Sequence, residues 1–428
     1  MKKTPKISII GLGYVGLPLA IQLAKHFSIV GFDTNGQRVR ELQSGHDRTN
    51  ECDKIMLSSE NLIICDNQSM LKDSDIYIIT VPTPIKKDKS PDLSPLINAS
   101  DIVGRVLKKR LRVQNKKSPI VIFESTVYPG ATQEICGKEI EKFSGMKMEK
   151  DFFLGYSPER INPGDKVHTV EKITKVIASE NTKVTKILEE IYSKLTSGNI
   201  FVAKNIKVAE ASKVIENSQR DINIAFINEI TQITDKLGIS IFDVLEASKT
   251  KWNFLPFYPG LVGGHCIGVD PFYLAEKAKD LGIKPQVILS GRKTNDKMSE
   301  FIFNKINPKI KKKSNILILG LSFKENVPDT RNSKVYDLIN FFNKKKHNIY
   351  VFDPLVNNED NRDFKIKSFQ ELKEDFFDVV ILAVSHDQFK KIALNKFKKL
   401  LKKGGLIADL KGLWRENRCG DYENYWCM

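Results

Sequence analysis

The sequence predicts an α/β protein: two parallel-sheet domains joined by a long central helix and a small helical middle domain. Three observations predict it. Lys6-Ile7-Ser8-Ile9-Ile10 is a short β-branched run followed at once by Gly11-Leu12-Gly13-Tyr14-Val15-Gly16, a helical stretch from Leu17 to Phe27, and a second apolar run from Ile29 that ends in Asp33. Strand, glycines, helix, strand and acid in that order are the Rossmann fingerprint. Ile206 to Gly238 reads as one long helix closed by Lys236-Leu237-Gly238. Asn315-Ile316-Leu317-Ile318-Leu319-Gly320 then opens a second strand–turn–helix unit. The expected domains are 1–200, Rossmann-like and nucleotide-binding; 201–300, central and helical; and 301–428, a second Rossmann-like domain.

In the first domain each glycine has a task. Gly11 permits the tight turn, Gly13 lets the backbone approach a pyrophosphate, and Gly16 lets helix and strand pack closely. The helix N-terminus offers free N–H groups to phosphates. Asp33 can accept hydrogen bonds from an adenosine ribose diol and would repel a 2′-phosphate, which favours NAD over NADP. The candidate cofactor residues here are Gly11, Gly13, Tyr14, Val15, Gly16, Asp33 and Arg38.

The alternation continues. Ile76 to Val81 is a strand that runs into Pro82-Thr83-Pro84, where two prolines stop the sheet. Pro119 to Phe123 runs into Glu124-Ser125-Thr126-Val127-Tyr128-Pro129-Gly130, and Phe152 to Tyr156 into Ser157-Pro158-Glu159-Arg160. Singly, each loop reads as turn chemistry. Together they place Thr83, Thr126 and Glu159 round one crevice at the carboxyl edge of the sheet, where doubly wound folds bind ligands.

On the long helix Glu210, Lys213, Asn217 and Arg220 share one stripe, with Val208, Ala211, Ile215, Ile222 and Phe226 opposite. A polar stripe is commonly a solvated face. The functional alternative is that Lys213 and Asn217, at i and i+4, converge to stabilise an oxyanion. The length of the helix suggests a spine or a dimer interface. Lys251-Trp252-Asn253-Phe254-Leu255-Pro256-Phe257-Tyr258-Pro259 follows, with aromatics that wall a pocket or fill a core. Then comes Gly260-Leu261-Val262-Gly263-Gly264-His265-Cys266-Ile267-Gly268-Val269-Asp270. A cysteine in a glycine-dense loop, with an acid four residues on, is placed for chemistry, whereas a buried thiol in a tight turn is the plain alternative.

The last domain repeats the opening pattern with degenerate glycines, since Ser322-Phe323-Lys324-Glu325 replaces the later ones. Strands are expected at Ile349 to Phe352, Val379 to Val384 and Leu406 to Leu410. The loop Lys324 to Arg331 carries two cations that suit a diphosphate or an ordinary surface ion-pair network. The residues after Trp414 read as a frayed tail.

Composition narrows the alternatives. The chain has 428 residues and a formal net charge of +16, which suits an anionic substrate, nucleic acid or a membrane surface. The lysine runs Lys311-Lys312-Lys313 and Lys344-Lys345-Lys346 lack interleaved aromatics, and no nucleic-acid-binding motif is present. No stretch approaches the ~20 apolar residues of a membrane span, and the N-terminus lacks a signal-peptide pattern. The cysteines show no CxxC pair and the histidines no HExxH, so a cytoplasmic protein without a metal is expected.

The whole chain resembles the nucleotide-sugar dehydrogenase family that includes UDP-glucose and GDP-mannose dehydrogenases. The resemblance rests on Gly11 to Pro18, Val81-Pro82-Thr83-Pro84, Glu124-Ser125-Thr126-Val127, Ser157-Pro158-Glu159-Arg160, Lys213 with Asn217, the cysteine loop, and Phe323-Lys324 with Asp329-Thr330-Arg331. Tyr156 to Asp165 and Lys251-Trp252-Asn253-Phe254 resemble the bacterial UDP-N-acetylhexosamine 6-dehydrogenases for UDP-GlcNAc or UDP-GalNAc. The resemblance implies NAD as cofactor, a UDP-sugar substrate and a homodimer or larger homo-oligomer. It implies four-electron oxidation at C6 through a thioester on Cys266, for surface polysaccharide such as capsule or O-antigen. Lys213 and Asn217 would stabilise oxyanions, Asp270 would tune the thiol or position water, and Glu159 with Thr126 would assist hydrolysis. Glu159, Arg160, Lys213, Asn217, Arg220, Tyr258, Gly263 and Lys324 would meet the substrate; Thr83, Thr126 and Arg331 would lie by the cofactor. UDP-glucose is the alternative substrate. A two-electron dehydrogenase or epimerase would need no thioester. One departure stands out: where UDP-glucose dehydrogenases supply an inter-subunit arginine, this chain reads Thr250-Lys251-Trp252.

Overall fold

The computed structural model describes residues 4–49, 51–110, 118–160, 171–356, 366–415 and 424–428. The motif residues 161–165 lie outside them. The chain packs as two compact units: Met1–Glu216 with Phe272–Gly282, and Asn217–Pro271 with Ile283–Met428.

The first unit is built on β1 (Lys6–Ile10), β2 (Ser28–Phe32), β3 (Leu62–Cys65), β4 (Ile76–Ile79), β5 (Ile120–Phe123) and β6 (Phe153–Tyr156), in the order β3-β2-β1-β4-β5-β6. Every pairing in it is parallel. Helices cover both faces, so the central strands are buried throughout and read as continuous apolar runs. Two separate cores result, one on each face. The order reverses between β1 and β4, the switch point where doubly wound sheets open a crevice. Beside this sheet β7 (Lys175–Ile177) and β8 (Ile200–Val202) form a small parallel pair. Both are too short for the sequence to have signalled them.

The second unit carries β9 (Asn315–Leu319), β10 (Asn348–Phe352), β11 (Phe377–Leu382), β12 (Leu401–Asp409) and β13 (Tyr425–Cys427), in the order β10-β9-β11-β12-β13. It too is wholly parallel. The helix Ile206–Leu237 spans 32 residues, and the boundary between the units falls inside it, after Glu216.

The expectation of a frayed tail is corrected for residues 424–428, while 416–423 lie outside the described residues. Tyr425, Trp426 and Cys427 pair with Ile407, Ala408 and Asp409 of β12, and Trp426 and Met428 join the apolar core. Polar residues hid a strand whose buried anchors are Trp426 and Met428. Trp426→Ala should therefore cost about 3 kcal/mol, as core tryptophan truncations do. Urea unfolding measures it; a free tail would lose no more than about 0.5 kcal/mol.

Candidate active site

The glycine loop after β1 has the form a pyrophosphate requires. Gly11 sits at φ 98°, and its N–H donates to the Phe32 carbonyl at 2.8 Å. A Cβ on Gly16 would stand 1.8 Å from the Gly11 carbonyl oxygen and 2.4 Å from Thr80 Oγ1, whereas one on Gly13 would meet nothing within 4 Å. The loop is thus closed behind and open at Gly13, and the helix Gly16–Ala24 begins three residues on. Tyr14 and Val15 flank that opening, half-buried. Asp33 accepts the N–H groups of Leu12 and Asn35, each at 2.8 Å, and remains partly exposed, so lone pairs remain for a ribose diol. Arg38 faces inward. Its Nε donates to the Leu12 carbonyl at 3.0 Å and Nη2 lies 2.8 Å from Asp47, which supports the loop from behind. These residues fit a dinucleotide.

Thr83, Thr126 and Glu159 follow β4, β5 and β6, neighbours in one parallel sheet, so all three leave it at the same edge. Their loops are tied down. Tyr273 Oη donates to the Pro84 carbonyl at 2.9 Å, Ser125 Oγ to the Val81 carbonyl at 2.6 Å, and Tyr156 Oη to the Ser125 carbonyl at 3.2 Å. Glu210 accepts the N–H groups of Gly130 and Thr132. Burial pushes its carboxyl up to about 7, against the pull of those bonds. Arg160 pairs with Glu216, Nη2 to Oε1 at 2.9 Å.

Below Glu159 lies a cluster the sequence did not announce. Lys175 Nζ is 2.8 Å from Glu124 Oε2 and 3.3 Å from Glu159 Oε2. Tyr192 Oη donates to Glu124 Oε1 at 2.5 Å. Burial alone would drive Lys175 towards its neutral form, but the two carboxylates outweigh it and hold its pKa above the usual lysine value. Burial raises Glu124, aided by the charge of Glu159.

The polar stripe of the long helix is not a solvated face. Glu210, Lys213, Asn217, Asp221 and Asn228 are all buried, while Val208, Ile215, Phe226, Ile233 and Leu237 are exposed. At about 100° per residue those five apolar side chains align in one narrow stripe. Arg220 is exposed. Lys213 is only 8 % exposed, and no acceptor among the described residues reaches its amine. Asn217 does not share an atom with it; its Nδ2 donates to Asp270 Oδ2 at 2.5 Å.

In the second unit Cys266 is exposed, and its carbonyl accepts the N–H groups of Val269 and Asp270 at 3.0 and 2.9 Å. Asp270, 2 % exposed, starts the helix Asp270–Asp280. The loop is held at both ends. Asn228 clamps Gly260, taking its N–H at 2.9 Å and donating to its carbonyl at 3.0 Å. Asn228 donates in turn to Asn295 at 2.8 Å, and Asn295 to Asp221 at 2.7 Å. Asp221 also pairs with Arg292, yet burial still raises it to about 6. At the other end a Cβ on Gly263 would lie 2.3 Å from the Asn332 carbonyl, and one on Gly264 2.7 Å from the Phe323 ring. Both positions demand glycine. Arg331 grips Asp329 at 2.7 Å, and His265 lies 3.9 Å from the same carboxylate. Burial foremost, then Arg331, lowers the His265 pKa. Lys324 is half-buried in the loop after β9. Tyr258 is half-exposed under Lys249, whose Nζ lies 4.7 Å from the ring centre.

The second unit reuses the first one's plan and changes its ending. Gly320 takes φ 86°, and Asp353, placed after β10 as Asp33 is after β2, accepts the N–H groups of Leu321 and Ser322. Here, however, the acid is buried, and His386 Nε2 lies 3.1 Å from it. Nδ1 of that ring accepts the Asn326 N–H at 2.9 Å, so Nε2 carries the proton. An acid spent on a buried histidine is not presented to a ribose.

Sequence reasoning missed Glu124, Lys175, Tyr192, Asn228 and Asn295. A carboxylate directly ending an apolar strand, as Glu124 does, was the one available signal; Lys175 lies in a strand of three residues and gave none.

The comparisons agree with this geometry. Residues 5–196 match the NAD binding domain of the UDP-glucose/GDP-mannose dehydrogenase family, 207–297 its central domain and 317–416 its UDP binding domain. UDP-N-acetyl-D-glucosamine 6-dehydrogenase of Pseudomonas aeruginosa is 45% identical over 97% of this chain and 99% of its own length. Protein CapL of Staphylococcus aureus is 45% identical over 98% and 99%. The structure of a UDP-D-ManNAc dehydrogenase from Pyrococcus horikoshii superposes with a TM-score of 0.86 at 29% identity, covering 99% of both chains. The chain belongs to the UDP-glucose/GDP-mannose dehydrogenase family, as an NAD-dependent nucleotide-sugar dehydrogenase.

Proposed function

We propose that this chain oxidises the C6 hydroxyl of a UDP-N-acetylhexosamine, UDP-GlcNAc or UDP-GalNAc, to the uronic acid through a thioester on Cys266. The carrying observation is the exposed Cys266 thiol on a loop fixed at both ends. An oxidation that stopped at the aldehyde, or an epimerisation, has no use for it. The 45% identity to a UDP-N-acetyl-D-glucosamine 6-dehydrogenase supports the choice of sugar.

Gly11, Gly13, Tyr14, Val15, Gly16 and Asp33 would hold NAD, which would supply the hydride acceptor for both oxidations. Thr83, Thr126 and Arg331 would border it. The substrate alcohol gives up its proton and a hydride and becomes the aldehyde. The Cys266 thiolate adds to that carbonyl, forming a C–S bond and a thiohemiacetal. Loss of its proton and a second hydride leaves the thioester. Water then adds, the C–S bond breaks, the thiolate leaves and the carboxylate is released. A thiol suits this route because it is strongly nucleophilic and also leaves. The Lys213 amine and the Asn217 amide stabilise the oxyanions, a role worth about 10²–10³ in rate for a single donor. Asp270, oriented by Asn217, positions water or assists the thiol. Glu159 and Thr126 assist hydrolysis, and Arg160, Arg220, Tyr258, Gly263 and Lys324 hold the sugar nucleotide.

The product is a nucleotide-linked uronic acid, a charged glycosyl donor suited to surface polysaccharide such as capsule or O-antigen. No helix among the described residues is long and apolar enough to cross a membrane; we place the enzyme in the cytoplasm, where NAD is available. We assign the exposed apolar stripe of the long helix to a homodimer interface, because such a line of side chains is costly to leave in water.

With limiting sugar, about two NADH should form per UDP-GlcNAc or UDP-GalNAc, as two hydride losses require. UDP-ManNAc, UDP-glucose and GDP-mannose in the same panel should turn over more slowly. One NADH per sugar would remove the thioester, and faster UDP-glucose turnover would change the substrate. Light scattering after gel filtration should give a dimer or a multiple of it, and Ile215→Asp with Phe226→Asp should give monomer; a monomeric parent protein would contradict the interface.

A further inference from the structure

The catalytic reading makes no use of Lys175, yet the fold invests heavily in it. Its side chain is 1 % exposed and sits between two carboxylates, Glu124 with a side chain fully buried and Glu159 at 14 %. A buried ammonium is costly unless paired and hydrogen-bonded. Here it has Glu124 at 2.8 Å, Glu159 at 3.3 Å and the Tyr192 ring at 5.5 Å. The four groups come from four elements: Glu124 from the end of β5, Glu159 from the loop after β6, Lys175 from β7, and Tyr192 from the helix Thr182–Ser193.

The pairing is lopsided in a useful way. Both oxygens of Glu124 are spent inside, on Lys175 and on Tyr192 Oη. Glu159 turns Oε2 to Lys175 and takes the Arg160 N–H on Oε1 at 2.7 Å. It is the partly exposed member of the cluster, and it leaves the sheet at the edge that also carries Thr126. Glu124, Tyr192 and Lys175 therefore form a rigid base, and Glu159 is the group that base presents. Among the described residues, the neighbouring Arg160 side chain is paired with Glu216.

We propose that Lys175 is a positioning residue for hydrolysis: clamped by Glu124 and Tyr192, it holds the Glu159 carboxylate ionised and fixed so that it can take a proton from the attacking water. In that step the water oxygen bonds to the thioester carbon, the C–S bond breaks, the Cys266 thiolate leaves, and the water proton passes to Glu159 and then to solvent. Lys175 neither gains nor loses a proton. Its charge keeps Glu159 ready at neutral pH, and its fixed place keeps one oxygen free of rotation. The inference rests on the reading that Glu159 assists hydrolysis, and it adds the residue on which that assistance depends.

The test separates hydrolysis from oxidation. Single-turnover quench experiments with UDP-GlcNAc and NAD follow NADH and released acid separately, across pH, in the parent protein and in Glu159→Gln, Lys175→Met and Glu124→Gln/Lys175→Met. The double variant leaves fewer unpaired carboxylates and guards against misfolding, which thermal unfolding monitors. Lys175→Met and the double variant should form both NADH equivalents and then release acid at least about tenfold more slowly, as loss of an oriented base does. The acid limb of release in Lys175→Met should move up by about one pH unit or more, as removal of a neighbouring opposite charge does. NAD affinity should not change. A folded Lys175→Met that releases acid at the parent rate and with the parent pH profile overturns the inference. So does equal loss of oxidation and hydrolysis with an unmoved pH profile, which marks a purely structural lysine. If Glu159→Gln itself releases acid at the parent rate, the role of Glu159 falls and this inference with it. If Glu159→Gln is slow and Lys175→Met is not, this inference alone falls.

Discussion

The helix Ile206–Leu237 turns its polar side inward, and much of the structure is the response to that. Each buried polar group left without a partner costs about 1–3 kcal/mol, so Glu210, Asn217, Asp221 and Asn228 each require something specific to bond. Glu210 takes two N–H groups at Gly130 and Thr132, at the far end of the loop that carries Thr126. Asn217 takes Asp270, and Asn228 takes Gly260. The Gly130–Thr132 loop in the first unit and the Gly260 and Asp270 segments in the second are each tied to the helix by the need to satisfy its buried polar groups. Lys213 is buried on the same face, and the proposed mechanism assigns its amine to the substrate oxyanion.

The same inversion puts a line of apolar side chains outside. The homodimer proposed above would cover that face. In that proposal one element has two uses: its polar face fixes loops, and its apolar face would meet a second copy.

Much of the fold was legible because strands buried on both faces must be apolar and glycine loops must be glycine. The Gly11–Gly16 loop, β1, β4, β5, β9 and the long helix follow from those rules. So does the placing of Thr83, Thr126 and Glu159 on one sheet edge, since β4, β5 and β6 are parallel neighbours. What stayed hidden depends on contacts between distant segments. The orientation of the helix could not be read, because alternation of polar and apolar residues is the same whichever side faces in. β7, β8 and β13 are too short to leave a period. Lys175 looks like any of the chain's many lysines, and only burial beside Glu124 and Glu159 distinguishes it.

Acid formation by Cys266→Ala tests the proposed covalent use of one thiol most directly. With UDP-GlcNAc and NAD, the variant should retain NAD binding and release uronic acid at least about 10³-fold more slowly, because without a thioester the second oxidation has no carbonyl adduct to act on. Uronic acid formed at the parent rate by a folded Cys266→Ala protein would contradict the account at its centre, and a route through hydrated aldehyde would take its place.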